Sequence, residues 1–90
     1  MIQKNPFGEK LKYEDVPFSS TNIPANTAKS FSQPLGKEYY ACVLYENEGF
    51  NVFIVSQPYF RYSNNNWVTT IFNTYSSDLN ISGTLRWYYL

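Results

Sequence analysis

The chain has 90 residues, 43% of them hydrophobic, with seven Lys+Arg balanced by seven Asp+Glu, no histidine and one cysteine. This is the length of about one domain, with enough apolar content for a packed core. The absence of histidine removes the commonest general base, the commonest zinc ligand and every histidine-based triad.

The single Cys42 permits no intramolecular disulfide and no multi-thiolate metal site. Its place in Ala41-Cys42-Val43-Leu44 reads as a small apolar core residue, and no metal or other cofactor is expected. Balanced charge without a Lys/Arg cluster argues against a nucleic-acid partner. No stretch approaches the roughly 18–20 consecutive apolar residues of a membrane span. Met1-Ile-Gln-Lys-Asn-Pro6 has neither the apolar core nor the cleavage site of a signal peptide.

Residues 1–9 read as a lead-in, and residues 10–90 as a single domain. Lys10-Leu-Lys-Tyr-Glu-Asp-Val16 alternates as a strand, with Leu11, Tyr13 and Val16 toward a core and Pro17 as its stop. Residues 19–26 (SSTNIPAN) have the composition of a turn. Residues 27–33 read as a short strand ended by Pro34 and Gly36. Glu38-Tyr-Tyr-Ala-Cys-Val-Leu-Tyr-Glu46 is the strongest strand signal, apolar on both faces. With residues 50–56 after Asn47-Glu48-Gly49, it predicts a β-hairpin. Residues 59–63 form another short strand, and Asn64-Asn65-Asn66 supplies a tight turn into a strand at 67–74. After a loop at 75–79, residues 80–90 put Ile81, Leu85, Trp87 and Tyr89 on one face and Ser82, Thr84, Arg86 and Tyr88 on the other. Gly83 there marks a bulge or a close approach. No helical apolar stripe occurs. Short strands between turn signals predict an all-β antiparallel sandwich of about seven strands, jelly-roll-like or immunoglobulin-like. A two-faced strand such as 39–45 leaves one face needing cover, and oligomerisation supplies it in a small domain.

Few residues suggest chemistry. Glu14 and Asp15 are adjacent, so a strand sends their carboxylates to opposite faces and they form no dyad. Glu46, Asn47 and Glu48 cluster oxygens at a turn without the spacing of a calcium loop. Asn80-Ile-Ser82 is a chance match to a glycosylation sequon. There is no nucleophile elbow and no selected carboxylate pair, so the protein is expected not to be an enzyme. The positive signal is aromatic: nine Tyr, seven Phe and two Trp. Ring faces stack on the C–H surfaces of sugars while amides and Arg bond hydroxyls. Tyr59, Arg61, Tyr62, Asn64, Asn65, Asn66 and Trp67 gather around one hairpin as the candidate ligand-binding set. The alternative is that these rings fill the core or a subunit interface.

Two stretches carry a resemblance. Asn22-Ile-Pro-Ala-Asn-Thr-Ala-Lys-Ser-Phe31 is similar to the I/V-x-A-N-T-x-K-x-F lead into a strand of small C-terminal β-domains in phage tail-fibre and baseplate receptor-binding proteins. Asn80-Ile-Ser-Gly-Thr-Leu-Arg-Trp-Tyr-Tyr-Leu90 resembles the strand with which such proteins end. The resemblance implies a virion adhesion or structural domain at a tail tip, found in the virion or, before lysis, in the host cytoplasm. It implies a homo-oligomer, favouring a trimer, and host-surface polysaccharide or a neighbouring virion subunit as partner. No site residue carries over from it. Fibre proteins carry a long N-terminal attachment region, so this chain reads as a C-terminal fragment or a stand-alone decoration protein. A free-standing carbohydrate-binding module and a small phage-encoded inhibitor of a host protein are the two rival functions.

Overall fold

A computed structural model describes residues 11–34 and 37–90, with only the backbone of Pro34. The expected lead-in at 1–9 lies outside the described residues. There are seven strands and no helix among the described residues: β1 (Lys12–Ile23), β2 (Ala28–Pro34), β3 (Tyr39–Glu46), β4 (Phe53–Val55), β5 (Tyr59–Arg61), β6 (Asn66–Asn73) and β7 (Leu79–Tyr89). They form two antiparallel sheets, a three-stranded one in the order β1-β7-β3 and a four-stranded one with β2 and β4 flanking β6. β5 pairs with β6 on the same edge as β4, opposite Asn66, Trp67 and Val68. The all-β antiparallel sandwich expected from the sequence is the fold observed.

Each sheet is organised by its central strand. In β7, Ile81, Leu85 and Trp87 are buried, while Ser82, Thr84, Arg86 and Tyr88 are half-exposed, as period-two alternation requires. In β6, Trp67, Thr69, Ile71 and Asn73 share the inner face. The core joins Ile23, Tyr39, Ile71, Ile81, Leu85 and Trp87, with Phe18, Phe31, Phe53 and Trp67 packed against it. Phe18 and Phe31 meet across the two sheets at 5.0 Å between ring centroids. Burying a side chain of this size contributes about 1.5–3 kcal/mol. Thr69, though polar, is fully buried and donates its hydroxyl to Ser56 O at 2.7 Å.

Five sequence expectations need correction. β1 does not stop at Pro17 but continues to Ile23 in register with β7. β1 is an edge strand, where the missing proline N–H costs no ladder bond if it faces away from the sheet. Two residues, Ser19 and Ser20, face the single Ser82 in a bulge between Phe18 and Thr21, so most of the serine-rich stretch is strand. Tyr13 faces outward, 52% exposed, because it stands in register with Tyr88 rather than with the inward Trp87. Residues 38–46 and 50–56 do not form a hairpin: β3 pairs with β7, β4 pairs with β6, and the 47–52 connection crosses between sheets. Only three residues of the second apolar run, Phe53–Val55, pair as a strand.

Two local readings hold. Asn65 adopts a left-handed φ of 54° in the turn joining β5 to β6. Gly83 is a close approach: a Cβ there would lie 2.2 Å from Tyr45 O and 2.9 Å from Glu46 Cα. Glycine is required by the backbone of β3, which passes directly beside it.

Candidate functional site

The seven hairpin residues divide between two faces and a tip. Tyr59 and Arg61 lie on one side of β5, with Arg61 Nη2 donating to Tyr59 Oη at 3.2 Å. Phe60 alternates to the other side and meets Trp67 at 5.6 Å. Trp67 also contacts Tyr39 at 6.3 Å, so it belongs to the interior. Tyr62, 84% exposed, sits at the tip against Phe60, beside the exposed Asn64 and Asn65. Asn66 is half-buried opposite Arg61. The hairpin thus brings Tyr59 and Arg61 together and separates Trp67 from the rest.

A second aromatic set lies on the outer face of the β1-β7-β3 sheet. Register places Tyr13 beside Tyr88, Asp15 beside Arg86, and Val43 on the other flank of Arg86. Asp15 accepts from Arg86 Nε at 2.8 Å and from Nη2 at 3.0 Å, a bidentate pair. The guanidinium lies 3.9 Å from the Tyr13 ring centre and 5.0 Å from that of Tyr45. Tyr13 meets Tyr88 edge-on at 5.9 Å. Arg86 holds the Asp15 carboxyl below its ordinary value, and Asp15 raises that of Arg86 in return. The result is a face of tyrosines gathered around one cation. Tyr13 and Tyr45 are about half exposed. The sequence already showed Arg86 and Tyr88 on one face of β7. It did not show that β1 and β3 flank that strand, and this is what brings Tyr13, Asp15 and Tyr45 to the same surface.

The remaining polar groups close the fold. Glu14, on the opposite face from Asp15 as expected, accepts from Tyr39 Oη at 2.5 Å and from Lys37 Nζ at 2.8 Å. These bonds, that of Lys37 first, lower the Glu14 carboxyl. Burial, followed by the bond to Glu14, pushes the Tyr39 hydroxyl well above its ordinary range. Lys37 also lies 4.7 Å from the Tyr89 ring centre. The Cys42 thiol is pushed up to about 12 by burial, so it stays protonated near neutral pH. At the 47–52 connection, the acids bind backbone rather than a common centre. Glu46 Oε1 accepts from Asn51 N at 3.1 Å, and Glu48 Oε1 from Ser82 N at 3.0 Å. No group of three His, Cys, Asp or Glu among the described residues is placed to hold a metal ion. Asn80 of the sequon bonds Asn22 Nδ2 through its own Oδ1 at 3.0 Å.

The stretches that carried the phage-tail resemblance have clear structural work. Residues 22–31 hold the corner between sheets, where Asn26 is left-handed at a φ of 56° and Thr27 N bonds Pro24 O at 3.2 Å. Residues 80–90 include almost all of the central strand β7. Compared with known proteins, the chain matches no family model, no curated protein and no solved structure.

Proposed function

We propose that this chain is a non-catalytic adhesion domain of a phage tail, and that it binds host-surface polysaccharide on the outer face of the β1-β7-β3 sheet. The observation that carries the reading is Arg86 held by Asp15 between the Tyr13 and Tyr45 rings. A sugar presents a C–H face and a rim of hydroxyls. The exposed tyrosines offer ring area to the first, and the phenol and guanidinium groups bond the second. The surface needs little reordering to bind, because Asp15 already fixes the guanidinium. The virion setting rests on the resemblance in residues 22–31 and 80–90. A free-standing carbohydrate-binding module would use the same face, and the exposure of Tyr13 and Tyr45 favours that second reading equally.

The test is calorimetric titration with purified bacterial surface polysaccharides. Tyr13→Ala and Tyr45→Ala are each expected to weaken binding about tenfold, or about 1.4 kcal/mol. Tyr62→Ala, at the hairpin tip, is expected to leave it unchanged. The opposite pattern would move the site to the hairpin. Absence of binding across a panel of polysaccharides would remove the carbohydrate reading. A stable trimer in solution would favour the virion setting over the free-standing module.

A further inference from the structure

The charges on the tyrosine face are few and already committed. Register puts Asp15 and Arg86 in one row across the sheet, between the Tyr13–Tyr88 pair on one side and the Thr84–Tyr45 pair on the other. The remaining outward positions of these rows, Pro17, Ala41 and Val43, carry no charge. By strand alternation Lys12 and Glu14 turn to the opposite side of β1, where Glu14 accepts from Tyr39 and Lys37. Glu46 turns the same way from β3 and accepts from Asn51 N. Beyond Thr84 the next outward residue of β7 is Ser82, which donates its hydroxyl to Glu48 Oε2 at 2.6 Å. Among the described residues the face thus carries one cation and two carboxylates, and the cation is already bound to one of them.

The Asp15–Arg86 pair presents a donor beside an acceptor. Arg86 Nε and Nη2 donate to separate oxygens of Asp15. This commits two of about five guanidinium N–H groups and two of about four carboxylate acceptor positions. Both side chains reach solvent, at 27% exposure for Arg86 and 40% for Asp15. Neighbouring hydroxyls of an uncharged sugar, each a donor and an acceptor, can bond both partners without separating them. An anionic sugar meets a different surface. Its carboxylate must either displace Asp15 from Arg86 or lie near Asp15 and Glu48 with no cation of its own. Hydrogen bonds from Arg86 and Ser82 hold the Asp15 and Glu48 carboxyls below their ordinary values, so both are ionised near neutral pH.

From this we infer, on the reading of this face as a sugar-binding surface, that it selects uncharged over acidic polysaccharide and that Asp15 is the residue that sets the selectivity. Asp15 occupies the bidentate place on Arg86 that the carboxylate of a uronic acid would otherwise take. Asp15→Asn keeps the size of the side chain and removes its charge. An amide has one acceptor oxygen and cannot match both N–H groups, so Arg86 is left as an uncompensated cation between Tyr13 and Tyr45. The carboxylate that remains, Glu48, is bound at Ser82, two rows away from Arg86 along β7. The variant face therefore admits the anionic sugars that the unmodified face turns away.

The experiment titrates the full chain by calorimetry with a panel of purified bacterial surface polysaccharides, divided into uncharged glucans and galactans and acidic uronate polymers. The unmodified chain is expected to bind an uncharged member at least about tenfold more tightly than any acidic one. That affinity should hold from about 50 to about 500 mM NaCl, because no charge is neutralised on binding. Asp15→Asn is expected to raise the affinity for uronate polymers about tenfold or more, a gain that shrinks as salt rises. A gain of binding cannot come from unfolding. Acidic polymers bound by the unmodified chain as tightly as uncharged ones would overturn the selectivity and leave the sugar-binding reading standing. A folded Asp15→Asn chain without the gain would overturn the role of Asp15. No binding to any member would remove the sugar-binding reading and the selectivity with it. If Asp15→Asn does not fold, the preference of the unmodified chain and its response to salt decide alone.

Discussion

Gly83 shows how one residue can be fixed by a neighbour far along the chain. A Cβ would meet Tyr45 O at 2.2 Å, and that oxygen belongs to a strand held by its own ladder. Gly83→Ala is therefore expected to destabilise the protein by about 1–3 kcal/mol, the usual cost of overpacking, as measured by urea unfolding. The ionisable side chains set the pH limits of stability. Glu14, Asp15 and Glu48 all have lowered values, caused first by hydrogen bonds to Lys37, Arg86 and Ser82 respectively. Their contribution is complete above the ordinary values of 4.5 and 3.8 and is lost as pH falls through the lower folded values. The chain should thus unfold more readily in denaturant below about pH 4, with Glu48→Gln flattening the decline. Because these groups are exposed, each contributes modestly and less at high salt. Tyr39 works in the other direction. Its value is raised, so its contribution is complete below the ordinary 10.0 and is lost as pH rises toward the higher folded value. Tyr39→Phe should remove that alkaline loss, read from thermal melts between about pH 9 and 11.

At the scale of elements, the corner around Asn73 holds the sheets together. Asn73 is fully buried at the end of β6. It donates Nδ2 to Ile23 O at 2.9 Å and to Ser77 O at 3.0 Å, and accepts from Tyr75 N at 2.8 Å. Its backbone N–H goes to Thr27 O at 2.8 Å, so one residue joins the end of β1, the start of β2 and the connection to β7. Asn73→Ala would leave a buried carbonyl unpaired and should cost about 3 kcal/mol, since each orphaned buried group costs roughly 1–3 kcal/mol. The check is a shift in the urea midpoint at unchanged slope. Nothing in the local sequence marks Asn73 out, because its partners lie 50 residues back and 2–4 residues ahead. The interrupted edge of β4 and β5 was only half legible. Pro58 announced a break, yet Ser56 bridges it, accepting from Thr70 N at 2.9 Å through its hydroxyl.

The whole molecule is built on pairings between distant segments. β1 joins β7 across the chain, with Asp15 and Arg86 separated by 71 positions. Loop closure must precede the contacts that reward it, so folding is expected on a millisecond-to-second scale in stopped-flow fluorescence of Trp67 and Trp87. The same topology assembles the tyrosine face from three strands. The sequence by itself determined the strand-rich class, the inward set of β7, the turn at Asn65, the divergence of Glu14 from Asp15 and the special status of Gly83. All of these follow from local propensity and from the two-residue period of a strand, which neighbouring residues settle among themselves. Only the tertiary structure decided that the apolar runs at 38–46 and 50–56 go to different sheets, that Pro17 sits harmlessly at an edge, and that Tyr13 looks outward. It likewise turned Trp67 into the core and gathered Tyr13, Asp15, Tyr45 and Arg86 on one face. The physical reason is that which strand lies beside which is set by burying both central strands at once, a condition no local segment contains.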